Sequence, residues 1–170
     1  MTLLLRPLQA NDLEAVLDIQ AASYPALAES PAAIADRLLQ APHWCWGAER
    51  DGQLCAYFLT HPWRSPMPPE WNRNLPLLPA QSHLLYVHDL AIGASVRGSG
   101  IASRLVGTVL QRARHARFTH AMLVAVQDSQ RFWQRQGFSV RAHATPGLAR
   151  APQGYGADGP PVGRPPRPGG

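Results

Sequence analysis

The stretch that decides the fold is residues 83–103, HLLYVHDLAIGASVRGSGIAS. Its apolar first half predicts a central strand at His83–Ile92. Gly98 and Gly100 then open a segment with apolar residues at helical spacing, which predicts a helix that ends near Phe118. A strand that passes through a glycine loop into a helix directs unpaired backbone N–H groups, and the positive end of the helix dipole, to one point. The stretch therefore predicts an anion-binding site at this loop.

Two well-known nucleotide-binding loops are excluded by particular residues. A dinucleotide-binding fingerprint requires a third glycine, where this chain has Ser103, and an acidic residue about 20 positions later, where none is found. A P-loop requires a lysine after its last glycine, and the sequence contains no lysine. The glycine loop alone is a weak signal, so its surroundings decide what it binds.

The flanking segments predict a single domain in which strands and helices alternate. Asp51-Gly52 suits the tight turn of a hairpin, because both residues accept positive φ angles. Ser30 suits the cap of a helix, and Gly137 suits a helix end. The predicted order is β-α-α-β-β-β-α-β-α-β, with strands at 2–8, 43–48, 54–60, 83–92, 121–126 and 138–142 and helices at 12–22, 31–41, 98–118 and 128–136.

Proline marks a loop and a tail. Six prolines between His61 and Ser82 remove backbone donors and fix φ, which predicts a long ordered loop instead of a helix or central strand. From Thr145 onward proline and glycine dominate, and little apolar material remains. We therefore expect a folded domain over residues 1–144 and a poorly ordered tail over residues 145–170.

Charge and cysteine content narrow the class of protein. The 170-residue chain has a net charge of +5 at pH 7 that comes from arginine. The densest basic cluster, residues 112–117, lies late on a predicted helix, where cations complement the helix dipole, so we expect a solvated helix end and no nucleic-acid partner. The sequence contains no run of about 18 apolar residues, so it predicts no membrane span. We expect Cys45 and Cys55 to be buried free thiols in a cytoplasmic protein.

Two motifs decide what the glycine loop binds: RGSGIA at residues 97–102, and FWQRQGF at residues 132–138, a predicted short helix that ends in Gly-Phe. They resemble the Gln/Arg-x-x-Gly-x-Gly/Ala motif and the second signature of the GNAT superfamily of acyl-CoA N-acetyltransferases. LRP at 5–7 followed by NDL at 11–13 resembles its usual beginning. The resemblance covers about residues 2–143. It implies an α/β (α+β) fold, a single domain with a mixed central sheet splayed at a bulge and helices on both faces.

The same resemblance implies acetyl-CoA as co-substrate and no metal ion. Backbone groups of Leu90, Ala91 and Ile92 would pair with the pantetheine arm. One strand amide freed at the bulge would stabilise the developing oxyanion. The Arg97 side chain and the amides of the loop that follows would hold the pyrophosphate, namely those of Gly98, Ser99, Gly100, Ile101, Ala102 and Ser103.

His88 is the candidate general base. An alkylammonium has a pKa of about 10, so a base with a pKa of about 6.5 assists its deprotonation near neutral pH. Residues 86–92, YVHDLAI, resemble a strand of arylalkylamine N-acetyltransferases that carries histidines at the positions of Tyr86 and His88. Strand alternation predicts Leu90 on the face of these two residues and Asp89 on the other, and Tyr86 would orient His88 or share a water with it. The alternative is a histidine that is hydrogen-bonded within the core.

The proton donor is where the chain departs from the family. Four residues before Gly137 the family usually has a tyrosine that protonates the thiolate, and this chain has Trp133. Indole is not an acid at neutral pH, but its N–H can hydrogen-bond the sulfur while water or Tyr86 supplies the proton. The asparagine common just before this helix is also missing, and Gln127 and its neighbours are the substitutes.

These residues predict an N-acetyltransferase that moves an acetyl group from acetyl-CoA to a primary amine of a small molecule or peptide. Direct attack in a ternary complex is expected, because Cys45 and Cys55 lie outside the motifs. The alternative is an acyl-CoA-binding module with little or no turnover, which Trp133 and the degraded tail favour. The tail has few residues that could form a last strand after Tyr155, so a partner chain in a homodimer could complete the sheet.

Overall fold

The computed structural model describes residues 2–126, 129–139 and 156–157. A mixed sheet of six strands has five longer strands in the order β1-β2-β3-β4-β5, and only the β4–β5 pair is parallel. The strands are β1 (Leu3–Pro7), β2 (Cys45–Arg50), β3 (Gln53–Trp63), β4 (Leu84–Ile92) and β5 (His120–Ala125). The helices are α1 (Leu13–Ser23), α2 (Pro31–Gln40), α3 (Ile101–His115) and α4 (Gln130–Arg135). This architecture confirms the predicted fold class.

The end of the predicted order differs from the structure. Phe138 and Ser139 are not part of a strand, and the rest of the strand expected at 138–142 lies outside the described residues. A two-residue strand, β6 (Gly156–Ala157), instead pairs antiparallel with Val124 and Ala125 of β5. The other residues of the expected tail, Tyr155 among them, also lie outside the described part of the chain.

Helices cover both faces of the sheet, and each face has its own core. On one face α1 and α2 bury Val16, Ile34 and Leu38 against apolar side chains of β2, β3 and β4. On the other face α3 buries six side chains, and Trp133 of α4 joins the same core. At about 1.5–3 kcal/mol for each large apolar side chain, this burial is the main reason that the helices stay on the sheet.

Local signals set several element boundaries. The Ser30 hydroxyl accepts a hydrogen bond from the Ala33 amide at 3.2 Å and caps α2. Asp51 and Gly52 have φ angles of 51° and 81°, as the tight turn between β2 and β3 requires. α3 begins at Ile101 and not at Gly98, because Gly100 takes φ 80° at the cap position, a left-handed conformation outside the helix.

The proline-rich segment begins later than predicted. β3 continues through Pro62 to Trp63, so the expectation of a loop from His61 was wrong for three residues. The Thr60 amide points toward the β2 side of the strand and donates to the Trp44 carbonyl at 3.3 Å. The Pro62 nitrogen, two residues further along β3, points to the same side, but β2 begins only at Cys45 and does not extend that far. The missing donor of Pro62 therefore breaks no ladder bond.

The loop that follows is attached to α2. The Leu75 amide donates to Asp36 at 2.7 Å, and the Leu78 amide donates to Gln40 at 3.1 Å. Arg37 donates to the Arg73 carbonyl at 3.1 Å. These bonds hold the loop over the face of the sheet that α2 covers.

Several further predictions concern the class of protein. Cys45 and Cys55 are both buried and free, as expected. In the described ranges, the helices are all too short or too polar to cross a membrane. The basic end of α3 is exposed, and the Arg112 guanidinium lies 4.8 Å from the centre of the Trp46 ring, which gives that cation a structural partner.

Candidate active site

The sheet opens between its two parallel strands. β4 and β5 pair only from Leu84 and His120 to Val87 and Leu123, so the second half of β4 has no partner on β5. A cavity of about 220 Å³ lies in this opening. It is lined by Tyr24, residues 87–90, Ile92, Ala102, Leu123, Val124, Val126, Ser129, Phe132 and Trp133. The predicted splay is therefore present, and it leaves strand backbone groups facing a cleft.

The predicted bulge lies at His88. Leu59 pairs with Asp89 and Thr60 pairs with Val87, so His88 is the extra residue on β4. One extra residue reverses the alternation of side chains beyond it. Val87 and Leu90 consequently share the core under α3, and the expectation that Leu90 lies on the face of His88 was wrong. Asp89, expected on the opposite face, instead contacts Tyr57 in the core under α1 and α2.

The glycine loop lies at the edge of this cavity, because Ala102 in the first turn of α3 lines it. Gly98 and Gly100 both have positive φ, at 72° and 80°, and a Cβ at either position would meet no atom within 4 Å. Glycine is therefore required because φ is positive, and not because a larger side chain would clash. No acidic residue lies in the first turn of α3, so no side-chain charge there repels an anion from the positive end of the helix dipole.

The loop donors are not all available. The Ser99 amide donates to the Val96 carbonyl at 3.3 Å, and the first helical bond of α3 runs from Arg104 to Gly100 at 3.1 Å. The amides of Ile101, Ala102 and Ser103 precede that bond and have no partner within the helix. We therefore assign the anion to the first turn of α3 more than to Ser99.

The strand residues predicted to hold the pantetheine arm alternate between the cavity and the core. Leu90 and Ile92 line the cavity. Ala91, between them, is buried in the core under α1 and α2. The Leu90 carbonyl accepts a hydrogen bond from the Tyr24 hydroxyl at 2.8 Å, and the Ile92 carbonyl accepts from Arg97 Nε at 3.4 Å. Two side chains thus already bond to the strand edge that faces the cleft.

His88 belongs to a buried polar cluster that the sequence did not predict. Its Nε2 contacts Oε1 of Glu29, a residue just before α2, and Glu29 Oε2 accepts from the Asn72 amide at 2.9 Å. Arg37 Nη2 lies 3.9 Å from the same carboxylate, and the Glu29 side chain is only 4% exposed. Burial on its own raises the pKa of Glu29, but His88 and Arg37 outweigh it and hold that pKa below its usual value. Glu29 is therefore a carboxylate at neutral pH.

The contact with Glu29 determines which nitrogen of His88 can act as a base. A carboxylate accepts only, so the neutral ring donates through Nε2 and carries its lone pair on Nδ1. His88 lines the cavity. The histidine is thus hydrogen-bonded to a core carboxylate and also lies at the cleft. It therefore has the contact of a core histidine and the position required of a general base.

Tyr86 lies next to His88 but does not line the cavity. Its ring centre is 6.4 Å from that of His88 and 5.4 Å from that of His61, which also packs on Trp63. Burial lowers the pKa of His61 to about 3, so this second histidine is neutral. Tyr86 thus packs beside the His88 ring without lining the cavity.

Asp89 is a second carboxylate at the cavity. It accepts a hydrogen bond from the Tyr57 hydroxyl. Burial raises the pKa of Asp89 above its usual value, although His88 and the Tyr57 bond oppose that effect. Burial also raises the pKa of Tyr57, so its hydroxyl remains a donor.

Trp133 lies in the cleft wall among aromatic rings. Its ring centre is 6.3 Å from that of Phe58, 5.0 Å from that of Phe132 and 5.4 Å from that of Phe138. Gln136, at the end of α4, donates to the Ser103 hydroxyl at 3.0 Å and links the second signature to the glycine loop. Gln127, the last predicted cofactor contact, lies outside the described residues.

A larger groove of about 810 Å³ lies at the closed end of the sheet, between Trp63 and Arg117. It contains none of the predicted site residues, and β4 and β5 are paired there, so it lacks the freed strand edge of the smaller cavity. No group of three or more metal-binding side chains occurs in the part of the chain that the structure describes.

The geometry fits acyl-CoA at the smaller cavity. The second half of β4 offers an unpaired strand edge for an extended arm, and the first turn of α3 offers amides for a pyrophosphate. Among the described residues that line the cavity, the two with acid–base side chains next to the bulge are His88 and Asp89. A thioester would therefore lie against the bulge, and an amine would meet it beside His88.

Comparison with known proteins agrees with this geometry. The sequence profile of the acetyltransferase (GNAT) family matches residues 13–138. No curated protein sequence matches the chain. Ard1 from Thermoplasma volcanium is similar in structure, with a TM-score of 0.67, 18% identity, and coverage of 84% of this chain and 86% of that one.

Two further structures contain coenzyme A. The PaiA N-acetyltransferase from Thermoplasma acidophilum, in complex with coenzyme A, has a TM-score of 0.66 and 12% identity over 95% of this chain and 98% of that one. Diaminobutyrate acetyltransferase EctA from Paenibacillus lautus, in complex with L-2,4-diaminobutyric acid and coenzyme A, has a TM-score of 0.64 and 18% identity over 94% of this chain and 92% of that one.

Proposed function

The chain belongs to the acetyltransferase (GNAT) family, whose members are acyltransferases, and on that premise we propose that it transfers an acetyl group from acetyl-CoA to a primary amine. The acceptor is a small molecule or a peptide, and the amine attacks the thioester directly in a ternary complex. The observation that carries the proposal is the opening between β4 and β5, with His88 at one end and the first turn of α3 at the other.

Each group of described residues has a separate role in the proposed reaction. The amides of Ile101, Ala102 and Ser103, with the Arg97 side chain, hold the pyrophosphate, and the edge of Leu90 and Ile92 holds the extended arm. His88 takes the proton of the attacking ammonium on Nδ1, directly or through a water, while Glu29 keeps the imidazole oriented. Tyr86 and His61 fix the ring. Trp133 shields the thioester from solvent.

A direct mechanism is supported by the state of the cysteines. Burial raises the pKa of Cys45 to about 12, so it is no nucleophile at neutral pH. Burial also raises the pKa of Cys55, and neither cysteine lines the cavity. Two reduced thiols are also typical of a cytoplasmic protein, where we place the reaction.

A panel of amines tests the proposal. The protein is incubated with acetyl-CoA and with diaminobutyrate, aromatic amines or peptides, and free CoA is measured with a thiol reagent while the product is identified by mass. We expect CoA release that depends on one class of amine. Tight CoA binding by calorimetry without release for any amine would favour the binding module instead.

His88→Ala tests the base. The variant should lose turnover mainly at lower pH, and it should approach the native rate near pH 10, where the amine is itself about half deprotonated. His115→Ala, at the exposed end of α3, is the matched control and should keep the native profile. An unchanged pH profile in His88→Ala would remove the base role and leave His88 as a structural residue.

A further inference from the structure

The acetyl transfer proposed above leaves one chemical role unassigned. When the C–S bond breaks, the thiolate leaves with the electron pair and needs a proton. The family position for a tyrosine holds Trp133, whose indole N–H does not ionise at neutral pH. Tyr86, the residue first expected to help, stacks on His61 and does not line the cavity. A proton donor must therefore come from elsewhere on the cavity wall or from solvent.

Tyr24 supplies a phenol at the required place. It follows the last turn of α1 and lines the same cavity as Phe132 and Trp133. Among the described residues that line this cavity it is the only tyrosine. Its hydroxyl donates at 2.8 Å to the Leu90 carbonyl, two residues beyond the bulge, so the phenol points at the freed strand edge and not at bulk water. The hydroxyl thus lies beside the segment of β4 along which the arm and its sulfur would run.

We propose that Tyr24 donates the proton to the CoA thiolate, a role that the family gives to a tyrosine at the position of Trp133. The nitrogen–carbon bond forms, the carbon–sulfur bond breaks, and the phenolic proton of Tyr24 moves to sulfur. The phenolate regains a proton from the one that the amine loses, which His88 holds and passes on through water. No oxidant, reductant or further reactant is required.

The surroundings of Tyr24 keep the proton on the phenol until it is needed. Burial and the charge of Asp89 raise the pKa of Tyr24 to about 12, while Arg97 opposes the shift. A free thiol has a pKa of about 8.5, so the phenol would not lose its proton to a thiolate in a separate step. The transfer therefore accompanies the return of the amine proton to the phenolate. This coupling predicts a rate that depends on the phenol hydroxyl and not on the phenol ring.

Tyr24→Phe removes the hydroxyl and keeps the ring. We expect kcat with the best amine of the panel to fall by about tenfold to a hundredfold, toward the lower end of the range for general-acid catalysis. The dissociation constant for CoA, measured by calorimetry, should change by about tenfold or less, because only one hydrogen bond to Leu90 is lost. A native kcat in Tyr24→Phe would overturn the proposal.

A second variant distinguishes proton donation from support of the strand. Trp133→Tyr places a phenol at the family position, so Tyr24→Phe combined with Trp133→Tyr should recover most of the lost kcat. If the fall in kcat is not recovered although the double variant binds CoA, Tyr24 only supports Leu90 and the proposal is wrong. If the double variant does not fold, single-turnover rates in D2O decide: the native enzyme should slow, and Tyr24→Phe should slow less. Equal slowing would refute proton transfer from Tyr24.

Failure of this inference and failure of the proposed function give different results. If the native protein releases no CoA with any amine, the proposed function is wrong and Tyr24 has no reaction to serve. If the native protein is active and Tyr24→Phe is equally active, only the role of Tyr24 is wrong.

Discussion

Glu29→Gln keeps the shape of a buried side chain and removes its charge. In the native protein one carboxylate oxygen contacts His88 Nε2, and the other accepts from the Asn72 amide at 2.9 Å and lies 3.9 Å from Arg37 Nη2. The amide of glutamine can still accept one of these bonds. What it cannot do is balance the charge of Arg37 or of a protonated His88.

The expected loss of stability follows from Arg37. This guanidinium is fully buried, and its other polar contacts are with the backbone carbonyls of Ala33 and Arg73. Removing the one carboxylate of a buried ion pair costs about 3–5 kcal/mol. Since the pKa of Glu29 is lowered in the folded protein, this stability is present above the range in which free glutamate titrates, about pH 4.3. It is lost as the pH falls through the folded pKa, so native and variant unfolding free energies should converge in acid.

The effect on turnover follows from His88. A hydrogen bond to a charged partner contributes about 1.5–3 kcal/mol, and about 1.4 kcal/mol corresponds to one pH unit or a factor of ten. Loss of this bond leaves the imidazole less firmly oriented and should lower kcat/KM in Glu29→Gln by about tenfold to a hundredfold.

Asp36→Asn is the matched control for this experiment. Asp36 is a carboxylate on α2 that also accepts an amide of the proline-rich loop, at 2.7 Å from Leu75, and its hydrogen bonds do not involve His88. It should lose stability in urea unfolding but keep the native pH–rate profile. If Glu29→Gln also keeps the native kcat/KM while its stability falls, Glu29 is structural and does not orient a base.

Two further perturbations test the loop and the cysteines. Gly100→Ala should destabilise the protein by about 1–2 kcal/mol, because φ is 80° and strain is the only cost where a Cβ meets no atom within 4 Å. It should weaken CoA binding in calorimetry, whereas Gly107→Ala within α3 should not, and native affinity in Gly100→Ala would place the anion elsewhere. Because burial raises the pKa of Cys45 to about 12, the folded protein should resist iodoacetamide at pH 8 and keep its activity. Rapid alkylation with loss of activity would contradict the direct mechanism.

The strand, glycine loop and helix of the candidate cofactor site could be predicted from the sequence because backbone forms them. Positive φ at Gly98 and Gly100 requires glycine, and a strand before the loop and a helix after it have strong local patterns. The same is true of Asp51-Gly52 and of the cap at Ser30. These features depend on residues close together in the chain, so periodicity and turn chemistry are sufficient.

The catalytic end could not be predicted in the same way. Glu29 meets His88 across 59 positions and Tyr24 meets Leu90 across 66, and neither residue is part of a local pattern. The bulge at His88 also has no local sequence signal, yet it reverses the faces of every later residue of β4. Alternation correctly placed Tyr86 beside His88, before the bulge, and was wrong from Asp89 onward.

The buried polar cluster of Glu29, Arg37 and His88 lowers the stability of the fold, and this loss argues that the cluster has a function. In the described residues, Nε of Arg37 and Nε2 of His61 are buried without a hydrogen-bond partner, next to the apolar core under α1 and α2. Each such atom costs about 1–3 kcal/mol, and an apolar replacement of a buried ion pair is often more stable. A cluster that only held α2 on the sheet would gain from that replacement. Its position beside the opening of β4 and β5 instead gives a fixed carboxylate and a fixed imidazole to the point where, in the proposed reaction, an ammonium would lose its proton. Leu substitutions at Arg37 and Glu29 together should therefore preserve folding while turnover falls, and native turnover in that folded double variant would make the cluster purely structural.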